Sequence, residues 1–398
     1  MLGVVILVIE KRLSQLVSSI GILVTLVILP GPNFDPINPV KGLVLSTLGF
    51  SAIGICIINR NFRDRIPRYV LAIGSLFIFW MLIVLKFSGA PINQQIWGMF
   101  GRNTGIVTYI SLTVVLVAAT SLRSPSSLRR VINGLIGVGC FEVFYGFMQA
   151  TGNDPIKWSA QDTFGTLGNI NFQSAFVAIS ATVIASRMLA TGNTGYKKWF
   201  YSVALILHGA MIYINGSFQG QAIFGFSLVV VVLAALYKSK LRFKTAVAFG
   251  ASLVSVAISV FTAAGVFNKG PFARVFYQET LLFREDYWHA GLKMTLANPI
   301  FGVGIDSYGD WYRFFRGSIS TMRTGPDRTS NSAHNIFLDI SSGGGLPLLL
   351  LFSILVVAGL YRCLSNLRKL SRGNVESVEL FAVSMGFLAF IEIGRAHV

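Results

Sequence analysis

Long apolar runs alternate with short polar connections along nearly the whole 398-residue chain. About 20 apolar residues in a helix span a membrane's hydrocarbon core. Windows near that size lie at 13–29, 41–58, 69–87, 104–120, 131–150, 171–190, 199–214, 219–237, 245–266, 346–361 and 378–391. The pattern predicts about 11 transmembrane helices, the last one cut short. Residues 1–9 are apolar but too short to span, which leaves a frayed helix start, an interfacial piece or a misplaced initiation site. The run breaks for a long stretch only at 267–345. There 285–297 predicts a helix stopped by Pro299, and 307–315 predicts a second helix after a tight turn. The expected organisation is nine membrane helices over 1–266, one large external segment over 267–345 and two further helices over 346–391.

Composition agrees with that pattern. The chain is 53% hydrophobic and 12% charged, against roughly 25% charged residues in soluble domains. Lipid tolerates such a surface provided that backbone groups pair internally, as in helices, so the expected class is an all-α polytopic membrane protein. The net charge of +17 sits in short blocks between apolar runs rather than along one face. It therefore reports topology and not a nucleic-acid partner.

Alternate connections, from Lys11 and Arg12 through Arg60–Arg68 and Arg123–Arg130 to Arg362–Arg372, hold twenty Lys and Arg, whereas the other short connections hold only Lys41, Lys86, Arg102 and Lys157. The positive-inside rule then puts the N-terminus in the cytoplasm and 267–345 in the periplasm. Cys56, Cys140 and Cys363 have no pairing or ligand spacing, and neither a disulfide nor a metal is expected. Residues 392–398, EIGRAHV, match the translation of a sequencing-library adapter. They are expected to be an artefact, with the native chain continuing past Ile391, and His397 and Arg395 receive no role.

The chemically capable groups gather at the external face. Ser332-Ala333-His334-Asn335 precedes the bend Ser341-Ser342-Gly343-Gly344-Gly345 and a new span. Histidine titrates near neutrality, so His334 is the candidate to take a proton from an attacking hydroxyl, with Asn335 to position it or a sugar. The competing reading is a helix-capping or interfacial histidine. Arg284 lies four residues before Trp288. Its fork suits the oxygens of a lipid-linked pyrophosphate, and the alternative is an arginine snorkelling to headgroups.

The stretch Asn298–Tyr308, NPIFGVGIDSY, lacks the strand and helix that a nucleotide-binding GxG needs and reads as a turn between external helices. Three further loops, WGMFGRNTG with Arg102, FGTLGNINF with Asn169 and Asn171, and NGSFQGQ with Gln219, lie at the same face and are expected to share a cavity with it. Glu142 is read as an interior hydrogen-bond acceptor and His208 as packing. Asp306, Asp310 and Asp339 show no spacing that converges on one face.

Taken together, the FGRNTG and FGTLGNINF loops, Arg284 with Trp288, NPIFGVGIDSYG and SAHNIFLD…GGGLPLLLLF resemble the O-antigen ligase and O-antigen polymerase superfamily of bacterial membrane glycosyltransferases. The resemblance runs over about 97–359. It implies inverting transfer of a glycan from an undecaprenyl-pyrophosphate carrier to an acceptor hydroxyl on a glycolipid, glycan or protein, in the bacterial inner membrane, without metal or other cofactor. It assigns His334 to activate the acceptor and Arg284, with Arg102, to hold the pyrophosphate. Asn169, Asn171, Gln219, Trp288, Tyr308 and Asn335 are the expected substrate-binding residues. Many members place an Arg beside the Ser of the loop matching 215–221; here Ser217 is followed by Phe218-Gln219. The alternative function is a transporter of a small solute or anion, for which inverted repeats and polar groups at the bilayer midplane would be expected.

Overall fold

A computed structural model describes residues 2–31, 35–59, 63–158, 162–190, 195–237, 279–369 and 379–387, with isolated positions between 246 and 273. Every regular element among them is helical. In chain order these are α1 (Leu2–Leu26), α2 (Asn38–Ile58), α3 (Arg68–Phe87), α4 (Ile92–Trp97), α5 (Ile106–Ala119), α6 (Pro125–Ala150) and α7 (Ile170–Ala190). They continue with α8 (Tyr196–Asn215), α9 (Phe218–Tyr237), α10 (Glu279–Ala297), α11 (Tyr308–Phe315), α12 (Ser318–Thr324) and α13 (Ile336–Lys369).

Six of these, α2, α3, α6, α7, α9 and α13, are long and apolar enough to cross a membrane, and α5 is a shorter apolar helix. The chain is thus a multi-pass membrane protein. The span expected at 245–266 and residues 392–398 lie outside the described residues, apart from single positions in the former. The apolar start at 2–9 is no separate piece. It continues as one helix through Glu10, Lys11 and Arg12.

Two of the apolar clusters show how the helices pack. Leu13, Ile20, Leu45, Ala52, Cys56, Val70 and Val117 join α1, α2, α3 and α5, while Val143, Val177, Ala178, Met211, Ile212 and Ile223 join α6 to α9. Helix α7 is the most enclosed of the candidate spans. Its small Ser174, Ala178, Ser180 and Ala181 are all buried, which lets neighbouring backbones approach closely, as packing between helices in lipid requires.

The two ends differ chemically. At one end buried Glu10 accepts from Arg65 Nη1 at 2.7 Å and from the backbone N–H of Arg123 and Ser124 at 3.0 and 2.6 Å. Buried Glu379 there accepts from Arg129 Nε and Arg187 Nη2, both at 2.8 Å. The opposite end carries the polar loops. In α6, Glu142 accepts from the Thr166 amide and hydroxyl, and Lys41 donates to the last carbonyls of α1. His208 is buried with Nδ1 on Ala204 O and Nε2 on Ser180 Oγ, a packing role.

The 298–308 turn docks onto a broken helix. Helix α13 breaks at Gly345, whose φ of 78° only glycine adopts without strain, and Pro347 follows. The freed backbone groups are satisfied: Val303 N donates to Ser342 O at 2.7 Å, Gly304 N to Gly343 O at 3.1 Å, and Leu346 N to Pro299 O at 2.8 Å. Trp80 Nε1 reaches Gly344 O at 3.0 Å, and Phe301 stacks between Trp80 and Phe87 of α3. The expected helices at 285–297 and 307–315 are present as α10 and α11, α10 starting earlier. Helix α12 was not visible as more than a polar connection.

Candidate functional site

Helix α10 presents the first group of functional side chains. Arg284, Tyr287 and Trp288 lie three and four residues apart and share one face. Arg284 Nε and Trp288 Nε1 are both buried, and neither finds a hydrogen-bond acceptor among the described residues. No salt bridge engages Arg284 among the described residues, and burial pulls its guanidinium down to about 10. Two buried donors on one helix face, without acceptors among the described residues, leave a place for an anion's oxygens. The Tyr287 ring stands 5.2 Å from the His334 ring, so His334 lies against this same helix. Arg328 adds a second cation nearby, 5.3 Å over the Phe283 ring. It had no signal in the sequence beyond its charge.

His334 sits in a turn with unusual backbone geometry. Its φ is +52°, and the other non-glycine residues with positive φ among those described are Asn103 and Asp306, at +54° each. Left-handed non-glycine backbone costs about 1–3 kcal/mol per residue unless its surroundings enforce it. Here they do. The His334 N–H donates to Ser332 Oγ at 3.2 Å, and Ser330 Oγ lies 3.4 Å from Nε2. Asp339 Oδ1 accepts the Ala333 N–H at 2.7 Å. Asn335 Oδ1 accepts from Phe337 N at 3.0 Å and Leu338 N at 3.4 Å, so Asn335 is the N-cap of α13.

Arg102 reaches this turn from the loop after α4. Its Nη1 donates to Asn331 O at 2.6 Å, Nε lies 3.5 Å from Asp306 and Nη2 lies 3.9 Å from Asp339. Asp306 also accepts from the backbone N–H of Met99 at 2.7 Å and Thr104 at 3.3 Å. The expectation that Asp306 and Asp339 do not converge is therefore corrected: they meet around Arg102. Asp310 instead accepts from Gln94 at 2.6 Å. Tyr308 is buried, and its hydroxyl donates to Tyr287 O at 2.7 Å. Burial, then Asp339, Tyr312 and Tyr287, push its phenol far up, so it stays a donor. Thr104, Tyr109 and Tyr308 with the two carboxylates enclose a polar cavity of about 20 Å³, room for one water.

Residues 202–353, from within α8 to beyond the break in α13, match the protein-family model described as O-antigen ligase. The chain carries an O-antigen ligase domain. The match supports the resemblance to the O-antigen ligase and polymerase superfamily that the motifs carry, and no curated protein matches the chain. The O-antigen ligase domain contains Gln219, Arg284, Trp288, Tyr308, His334 and Asn335, and excludes Arg102, Asn169 and Asn171.

The remaining expected residues gather elsewhere. Asn169 Oδ1 accepts the Asn171 N–H at 2.8 Å at the start of α7, and Asn171 Oδ1 accepts from Ser217 Oγ at 2.7 Å. Gln219 is 4% exposed, and both of its amide atoms lack partners among the described residues. The structure records no hydrogen bond from this group to His334 or Arg284 among the described residues. Hydrogen bonds join Arg102 to the His334 turn, and join Asn171 at the start of α7 to Ser217 just before α9.

Proposed function

We propose that the protein transfers a glycan from an undecaprenyl-pyrophosphate carrier to an acceptor hydroxyl at the periplasmic face of the bacterial inner membrane, by a single inverting displacement without metal. The observation that carries this reading is the pair of unmatched donors on α10, Arg284 and Trp288, one helical turn apart and flanking Tyr287, which packs on His334. In this reading the His334 ring takes the acceptor's proton as the acceptor oxygen attacks the anomeric carbon. The bond from that carbon to the phosphate oxygen breaks, and its electron pair leaves on the pyrophosphate. Arg284 and Trp288 hold the charge that develops there, the part of such a reaction in which fixed donors contribute most. Once both lipids are oriented, little further chemistry is asked of the protein.

The match to the O-antigen ligase family and the opposed basic and polar ends support the reading. It is tested in a deletion strain complemented with wild type, His334→Ala or Arg284→Ala. Mature surface polysaccharide is expected to fall at least about 100-fold with either variant at equal protein level, in the range for removing a general base or a charge-holding donor. Restoration by both variants would overturn it. Accumulation of single repeat units or of long unligated chains distinguishes polymerase from ligase.

A further inference from the structure

We propose that Arg102 is a positioning residue for His334 and not a pyrophosphate contact. The inference rests on the reading that His334 activates the acceptor. Arg102 already spends its fork: Nη1 is bonded to Asn331 O at 2.6 Å, while Nε and Nη2 face Asp306 and Asp339 at 3.5 and 3.9 Å. Two carboxylates around one guanidinium leave a net negative centre, which repels a second anion. The Asp306 side chain is only 3% exposed, and its Oδ2 is taken up by the Met99 and Thr104 amides, so it cannot swing away to admit one.

What Arg102 does hold is the backbone that leads into His334. Asn331 lies three residues before it, and Asp339 fixes the Ala333 amide immediately before it. The three positive-φ non-glycine residues all belong to this junction: Asn103 beside Arg102, Asp306 and His334 itself. Loop 97–105, turn 298–308 and the start of α13 are thereby tied at one cation. Its loss frees the 331–334 turn to relax towards ordinary backbone angles. The His334 ring then leaves its place beside Tyr287. A misplacement of about 1 Å of a reacting group costs on the order of 100-fold in rate.

The test uses full-length protein in lipid nanodiscs, with a polyprenyl-pyrophosphate-linked oligosaccharide as variable donor and hydrogen exchange of peptides covering 331–338. Arg102→Gln is expected to lower kcat about 10- to 100-fold with donor KM within about twofold, and to speed exchange at Ala333 and His334. Arg284→Gln is the contrast, expected to raise donor KM with exchange at 331–338 unchanged. Arg102→Lys keeps the charge but loses the fork. Its exchange and kcat should fall between those of Gln and wild type, and it serves as the readout if the Gln variant does not fold.

Unchanged exchange in both Arg102 variants would sink the proposal. A raised donor KM with unchanged exchange would return Arg102 to the pyrophosphate. Faster exchange with undiminished transfer would instead remove His334 from the reaction, and the positioning role with it.

Discussion

A guanidinium held half-buried without a carboxylate is unfavourable for the empty protein. Burial draws Arg284 down to about 10. A cation whose folded value lies below its unfolded one destabilises the fold at every pH beneath both, and that cost fades only as pH rises through about 10. At neutral pH the charge is therefore present, with no carboxylate paired to it among the described residues. Arg284→Met keeps the packing length and removes the charge. It is expected to raise the melting temperature of the unliganded protein by about 2–4 °C. Conversely, a pyrophosphate lipid should stabilise wild type and leave the variant unmoved. Thermal unfolding in nanodiscs with and without that lipid checks both effects, and a donor that shifts both proteins equally would contradict the role given to Arg284.

Among the elements, α13 is where membrane frame and site are joined. Its break lets the Ser342 and Gly343 carbonyls accept from Val303 and Gly304 instead of from their own helix. A Cβ on Gly345 would run into the Ile300 carbonyl, and its φ of 78° is already costly for any other residue. Gly345→Ala is expected to cost at least about 2 kcal/mol, more than the left-handed penalty alone, and to separate the turn from the helix. Folded yield by size exclusion and the melting temperature should both drop, with transfer lost. An alanine variant of wild-type stability and activity would show that the break is not what holds the turn.

At the scale of the whole molecule, the distribution of charge between the two ends is the testable feature. Glu10 and Glu379 gather Arg65, Arg129 and Arg187 at one end, while Asn331 and His334 lie at the other. In intact cells with a permeabilised outer membrane, an impermeant maleimide should label Asn331→Cys. It should reach Ser126→Cys only after the inner membrane is opened. Both positions are exposed, and Cys56 and Cys363 are buried while Cys140 is half-buried. Labelling of Ser126→Cys from outside would invert the proposed orientation.

Much of this was legible in the chain itself. Apolar run length is a local property set by the thickness of the hydrocarbon core, so the helices of the frame could be read directly. Pro299 as a stop, Glu142 as an acceptor and the glycine bend before Leu346 were equally local signals, whereas Asn335, read as a sugar or His334 contact, turned out to cap α13. The pairing of Arg102 with Asp306 and Asp339 was not legible, and neither was the Ser217–Asn171 hydrogen bond between α7 and the loop before α9. These depend on which helices pack side by side, and no residue's own neighbours in sequence carry that information. By itself the sequence determined a helical membrane protein with its chemistry gathered at one face. Only the tertiary structure decided which cation is left to meet an anion, because Arg102 finds its carboxylates across the fold and Arg284 finds none among the described residues.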